Sequence, residues 1–208
     1  MADDAHHRRG GRRAPDRHPS GSGTRPTSDR VREAIFSRLE HEDLLEGARV
    51  LDLYAGSGAL GLEACSRGAA EALLVESSRA AAQIISGNIR DLGLRQARVV
   101  TRPVATLLGA GPSGGAGTGF DVVLSDPPYD LGDGALHADL VALVDHGWLA
   151  PAAVVVVERS SRSGEPRWPN GLEQVAHKRY GETSVWYAEV TDSAGATDCA
   201  EATDTVEP

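Results

Sequence analysis

Two short strings in this 208-residue chain combine side chains suited to chemistry at one spot. Asp126-Pro127-Pro128-Tyr129 follows an apolar run and brings together a carboxylate, a stiff backbone and an aromatic ring. An exocyclic amino group conjugated to a base ring is a poor nucleophile, because its lone pair is delocalised. Hydrogen-bond acceptors aimed at its N–H groups favour rehybridisation and stabilise the positive charge that develops during attack. The Asp126 carboxylate and the Pro127 carbonyl suit that task, and the two prolines fix φ and stiffen the loop. Tyr129 offers a face on which an extruded base stacks, worth about 1–3 kcal/mol. The second string lies upstream: Asp52-Leu-Tyr-Ala-Gly-Ser-Gly-Ala-Leu-Gly61, a glycine-rich turn after an apolar strand. Such a turn makes a pocket for an adenosine-containing cofactor.

Two cofactors compete for that turn. Gly56-Ser57-Gly58-Ala-Leu-Gly61 matches the dinucleotide spacing, in which an anionic pyrophosphate lies at a helix N-terminus. S-adenosylmethionine (SAM) instead brings an ammonium and a sulfonium. Asp52, at the carboxyl end of the strand, repels pyrophosphate and suits a cationic amino acid moiety. Charge therefore favours SAM over a nicotinamide cofactor. Glu76, at the end of the next strand, is placed for ribose hydroxyls under either reading.

The elements that must position these residues alternate. A helix is expected from a cap at Thr27 or Ser28, with Val31, Ile35 and Leu39 forming one apolar stripe. Strands follow at 49–54, 72–76, 98–101, 120–125 and 153–158, separated by helices at 60–67, 78–92, 104–108 and 136–145. Short Val/Leu-rich strands joined by helices imply a parallel sheet covered on both faces. The last two strands, 173–180 and 183–189, are joined by Gly181-Glu182 and read as an antiparallel hairpin. Residues 1–24 are expected to be a basic, mostly disordered leader, 25–190 the catalytic domain, and 191–208 an acidic disordered tail.

Composition narrows the class. The chain is 40% hydrophobic, with a net charge of −9. No apolar run is long enough for a membrane span, and the first 30 residues lack a secretory hydrophobic region, so a cytoplasmic location is expected. Cys65 and Cys199 have no metal-ligand spacing; Cys65 reads as a small buried apolar residue, and no metal is expected. Charge is unevenly spread: +4 over residues 1–38, −7 over 39–188 and −6 over 189–208. An RNA partner would thus be gripped at the basic end.

Five segments together resemble the RsmD family of bacterial methyltransferases: Arg25-Pro-Thr-Ser-Asp-Arg-Val-Arg-Glu33, the turn from Asp52, Asn88 with Leu92-Gly93, Asp126-Pro-Pro-Tyr129, and Val157-Glu-Arg159. The resemblance covers about residues 24–189. It implies a Rossmann-like class I SAM-dependent methyltransferase fold, with a mostly parallel seven-stranded sheet, helices on both faces and a C-terminal antiparallel hairpin. It implies methyl transfer from SAM to the N2 amino group of one guanine in 16S rRNA, within the small ribosomal subunit or its assembly intermediate. By the same resemblance Asp52, Tyr54, Gly56, Ser57, Gly58 and Glu76 hold SAM, with a backbone contact at Ala105 for the adenine. Asp126, Pro127, Pro128 and Tyr129 hold the guanine, while Arg25, Thr27, Arg30 and Arg32 line the approach of RNA. A second docking surface is conceivable around Arg159, Lys178 and Arg179. Competing readings are a DNA or RNA adenine-N6 or protein glutamine methyltransferase, a non-catalytic RNA-binding module, and a dehydrogenase.

Overall fold

The computed structural model describes residues 26–112 and 119–191. The expected leader with Arg25, the interior of the glycine-rich loop, and the acidic tail with Cys199 lie outside the described residues. Seven strands form one sheet: β1 (Arg49–Leu53), β2 (Glu71–Glu76), β3 (Ala97–Thr101), β4 (Phe120–Ser125), β5 (Leu149–Ser160), β6 (Leu172–Tyr180) and β7 (Thr183–Val190). Their order is β3-β2-β1-β4-β5-β7-β6. The first five pair in parallel, and β7 pairs antiparallel with both β5 and β6. The class I methyltransferase architecture with its terminal hairpin is thus borne out.

Helices cover both faces because each strand of the parallel core is apolar on both sides. Helices α1 (Pro26–His41), α2 (Ala59–Ser66) and α3 (Arg79–Leu92) pack on one face. That layer buries Val31, Ile35 and Leu39 against Val50, Leu74 and Leu124. Helices α4 (Val104–Leu108) and α5 (Asp133–Asp145) close the other face, burying Leu108, Leu136 and Leu140 against Leu51, Val123 and Val155. Each such leucine or isoleucine contributes about 1.5–3 kcal/mol on burial. Cys65 is buried in the first of these layers, as its apolar context implies, and burial pushes its thiol up to about 11.

Differences from the expected boundaries have local causes. Helix α1 already runs from Pro26, so Thr27 and Ser28 lie within its first turn rather than capping it. Proline suits that position, since its fixed φ is helical and the first N–H groups have no intrahelical partner anyway. Strand β5 begins four residues before the expected Ala153, because a register shift between Phe120 and Val122 accommodates Pro151 in an exposed stretch. Helix α5 starts at Asp133, ahead of its apolar stripe. No helix among the described residues is long and apolar enough to cross a membrane.

Candidate active site

The strand order reverses between β1 and β4, and the crevice beyond their carboxyl ends is where open α/β sheets bind ligands. Asp52 lies on β1, Glu76 ends β2, Asp126 follows β4 and Glu158 lies near the end of β5. Alternation decides which way they face. Leu51, Val75 and Val157 belong to the α4/α5 layer, so Asp52, Glu76 and Glu158 project toward the layer of α1, α2 and α3. One edge and one face of the sheet therefore collect these carboxylates.

Beneath the turn, Asp52 is buried at 1% exposure, and its Oδ2 accepts the Gly61 N–H at 2.8 Å. This carboxylate occupies the N-terminus of α2 instead of standing open to a ligand as the sequence implies. Burial pushes the Asp52 carboxyl up to about 7 against the opposing pull of that hydrogen bond, with Asp126 and Glu76 adding repulsion. Glu76 also has its oxygens in use: Oε2 accepts the Gly56 N–H at 2.9 Å, and Oε1 accepts the Ser78 N–H at 2.7 Å. Two backbone donors of the turn, the Gly56 and Gly61 N–H groups, are thus engaged by protein carboxylates.

The turn is packed down on the core. Gly58 has φ +85°, and a Cβ there would lie 3.0 Å from the Leu74 side chain. At Gly61 a Cβ would come within 2.8 Å of Leu74 Cγ and 3.0 Å of Asp52 Oδ2. Only glycine lets α2 approach β2 and the carboxylate this closely. Ser57 is fixed from behind, its carbonyl accepting from Asn88 Nδ2 at 3.2 Å. The Tyr54 hydroxyl donates to Asp139 on α5, and its ring packs against the α4/α5 layer. Its backbone, at φ 60°, still shapes the turn. Ala105 is exposed in the first turn of α4, beyond the end of β3.

The second half of the site is a short loop. Asp126 is open to solvent on one side and crowded by protein on the others, and that loss of water raises its carboxyl to about 6. Pro127 is buried, Pro128 is exposed, and Tyr129 stands 82% exposed. Among the described residues no hydrogen bond or ring contact holds a tyrosine so far out. The loop is clamped from β5. Arg159 donates to Asp133 Oδ1 at 2.5 Å and to the Leu131 carbonyl at 3.3 Å. Arg159 is buried, which removes it from the possible RNA-docking charges.

Sequence reasoning placed Glu158 within Val157-Glu-Arg159 but did not single it out as a neighbour of Asp126. Parallel pairing of Ser125 with Val157 makes Asp126 and Glu158 successors on neighbouring strands. Burial, then the charge of Asp126, pushes the Glu158 carboxyl up to about 8. A glutamate directly after the apolar run of β5 was the available signal. On α1, Arg30 is exposed and Arg32 pairs with Asp29 at 3.2 Å. Helix α1 is fixed to α2 by Arg67, which meets Glu33 at 2.7 Å, Glu40 at 2.9 Å and Glu63 at 2.7 Å. The first turn of α1 reaches the catalytic loop, since Ser28 and Tyr129 line one recess. Thr27 lies in that turn. Among the described residues no group of His, Cys, Asp and Glu could hold a metal ion.

Known proteins share this arrangement. A family model described as "Conserved hypothetical protein 95" matches residues 11–189. The ribosomal RNA small subunit methyltransferase D of Escherichia coli strain K12 is 41% identical over 151 residues, which is 73% of this chain and 72% of that protein. The solved structure of the Escherichia coli protein yhhF is 34% identical with a TM-score of 0.71, and the match covers 86% of this chain and 92% of that one. The magnesium protoporphyrin IX methyltransferase of Synechocystis PCC 6803, solved with bound SAM, shares the fold at a TM-score of 0.62. It is 14% identical, and the match covers 82% of this chain and 87% of that one.

Proposed function

The chain belongs to the RsmD family of SAM-dependent ribosomal RNA methyltransferases, and from that premise we propose that it methylates the N2 amino group of one guanine in 16S rRNA. One observation carries this reading: the clamped Asp126–Tyr129 loop opens onto the same sheet edge as the carboxylate-backed turn. SAM supplies a methyl group on a positively charged sulfur. The residues fit a cationic ligand, because Asp52, Glu76 and Asp126 already repel one another across the edge and a positive charge relieves that repulsion. Asp52 and Glu76 hold the turn open from below, while Gly56, Ser57, Gly58 and the Ala105 backbone border the cofactor space.

Tyr129 stacks the extruded guanine, and Pro127 and Pro128 fix the loop so that the base amino group meets its acceptors. Asp126 Oδ and the Pro127 carbonyl accept the two N2 hydrogens, which pushes electron density onto the nitrogen. The methyl group would come from SAM, its carbon–sulfur bond breaking to leave a neutral thioether as the bond to N2 forms, so that N2 would become cationic. Ionised Asp126 stabilises that charge and takes up the proton the nitrogen must lose. Glu158, whose raised pKa leaves it largely neutral near pH 7, keeps a second full negative charge away from Asp126. The substrate is presented on the small ribosomal subunit or its assembly intermediate, approached past Arg30 and Arg32.

Incubation with methyl-labelled SAM and unmethylated 16S rRNA, duplex DNA or total protein tests this directly. Label in N2-methylguanosine of the rRNA is expected. Label in N6-methyladenosine or in glutamine would replace this reading with another amino-group substrate.

A further inference from the structure

Beside Tyr129 the surface falls into a recess of about 660 Å³, whose lining includes Ser28, Ser160, Arg162, Ser163, Thr183 and the carboxylate of Glu182. Four separate parts of the chain meet there: the first turn of α1, the loop after β4 that carries Tyr129, the end of β5 with the loop leaving it, and the turn between β6 and β7. The walls are tied together, since the Ser161 N–H donates to the Glu182 carbonyl at 2.7 Å and the Ser163 N–H donates to the Ser160 carbonyl at 3.0 Å. We propose that this recess is a second nucleotide subsite, which takes the sugar-phosphate of the residue flanking the guanine stacked on Tyr129. The proposal rests on the guanine-N2 reading above, because it assumes that Tyr129 receives an RNA base.

Its lining has the chemistry of backbone recognition. Hydroxyl groups and a guanidinium are the side chains that meet phosphate and sugar oxygens, and such contacts set register rather than sequence. The 2′-hydroxyl of RNA gives the serine and threonine hydroxyls both a donor and an acceptor to answer. Position matters equally. Enzymes that act on an extruded base also contact the nucleotides on either side of it, and Tyr129 belongs to both the catalytic loop and the recess. Among the described residues the Arg162 side chain pairs with Glu182, at 3.1 Å, with the two side chains 83% and 84% exposed. An ion pair so open contributes little, so Arg162 exchanges it for a phosphate at small cost. Glu182, conversely, both restrains that arginine and repels the incoming backbone.

The two partners of this pair should then act in opposite directions, which a purely structural contact would not produce. With the full chain and an unmethylated small-subunit substrate, Arg162→Ala should raise the KM for RNA about tenfold. It should also reduce the salt dependence of binding by about one ion, while SAM affinity and melting temperature stay put. Glu182→Gln should lower the KM. The proposal is overturned if an active Arg162→Ala enzyme keeps its KM and salt slope, or if both variants move KM in the same direction. Failure of the guanine-N2 reading itself is separately visible, as wild-type enzyme that forms no N2-methylguanosine.

Discussion

Asp126 is asked to be ionised when the guanine amino group is attacked, and its carboxyl is raised to about 6. A group with that pKa leaves the ligand-free enzyme under-ionised in mild acid, so kcat/KM should climb as pH passes through about 6 and level off above it. Asp126→Asn should remove that limb and lower kcat on the order of 100-fold, with SAM affinity changed far less. An unshifted pH profile in an active Asp126→Asn enzyme would remove Asp126 from the proton-accepting role. Tyr129→Ala should cost roughly 1–3 kcal/mol in RNA binding, read as KM, and Tyr129→Phe should recover most of it because the ring does the stacking. Both motifs were legible because each is a contiguous string whose chemistry is local. The burial of Asp52 and the participation of Glu158 were not, since they depend on which strands become neighbours and which face of each is turned to the helices.

Two contacts between elements make the site rigid. Arg159 at the end of β5 clamps the loop that leaves β4, through Asp133 and the Leu131 carbonyl. Removing the buried guanidinium forfeits both bonds, and because Asp133 is 65% exposed and regains water the cost in stability is modest, about 1 kcal/mol. Arg159→Leu should therefore lower the melting temperature and reduce kcat, as the Asp126–Tyr129 loop loosens, while SAM binding persists in calorimetry. Unchanged kcat would show that the loop needs no clamp. At the other contact, Gly61 lets α2 close on Leu74 and Asp52. Gly61→Ala should cost about 1–3 kcal/mol of stability and weaken SAM binding, because helix and carboxylate must move apart. The strand-helix alternation and the final hairpin were readable from apolar runs and turn residues. The clamp was hidden, because Arg159 and Asp133 are distant in sequence and an arginine near a strand end reads as solvated.

Taken whole, the molecule collects acidic groups at one sheet edge. Asp52 and Glu158 keep their protons to higher pH in the folded protein than unfolded carboxyls do. The ligand-free protein should therefore lose stability as pH rises from about 4 to about 8, the interval between the ordinary carboxyl pKa and the raised ones. A bound sulfonium offsets the repulsion, so SAM should raise the melting temperature more at pH 8 than at pH 6, and more than its neutral demethylated product does. Equal shifts for the two ligands at both pH values would contradict the electrostatic account. Arg30→Ala should raise the KM for the ribosomal substrate and flatten its salt dependence. Charge asymmetry was visible in the sequence, but composition alone did not reveal that α1 delivers its first turn to the catalytic loop. Mass mapping of 16S rRNA from a deletion strain asks whether this site places one methyl group on one guanine of that RNA. Restoring the wild-type chain should return a single methyl mass to one guanine-containing fragment, as N2-methylguanosine, and Asp126→Asn should not. A 16S rRNA whose mass map is identical with and without the chain would contradict the account.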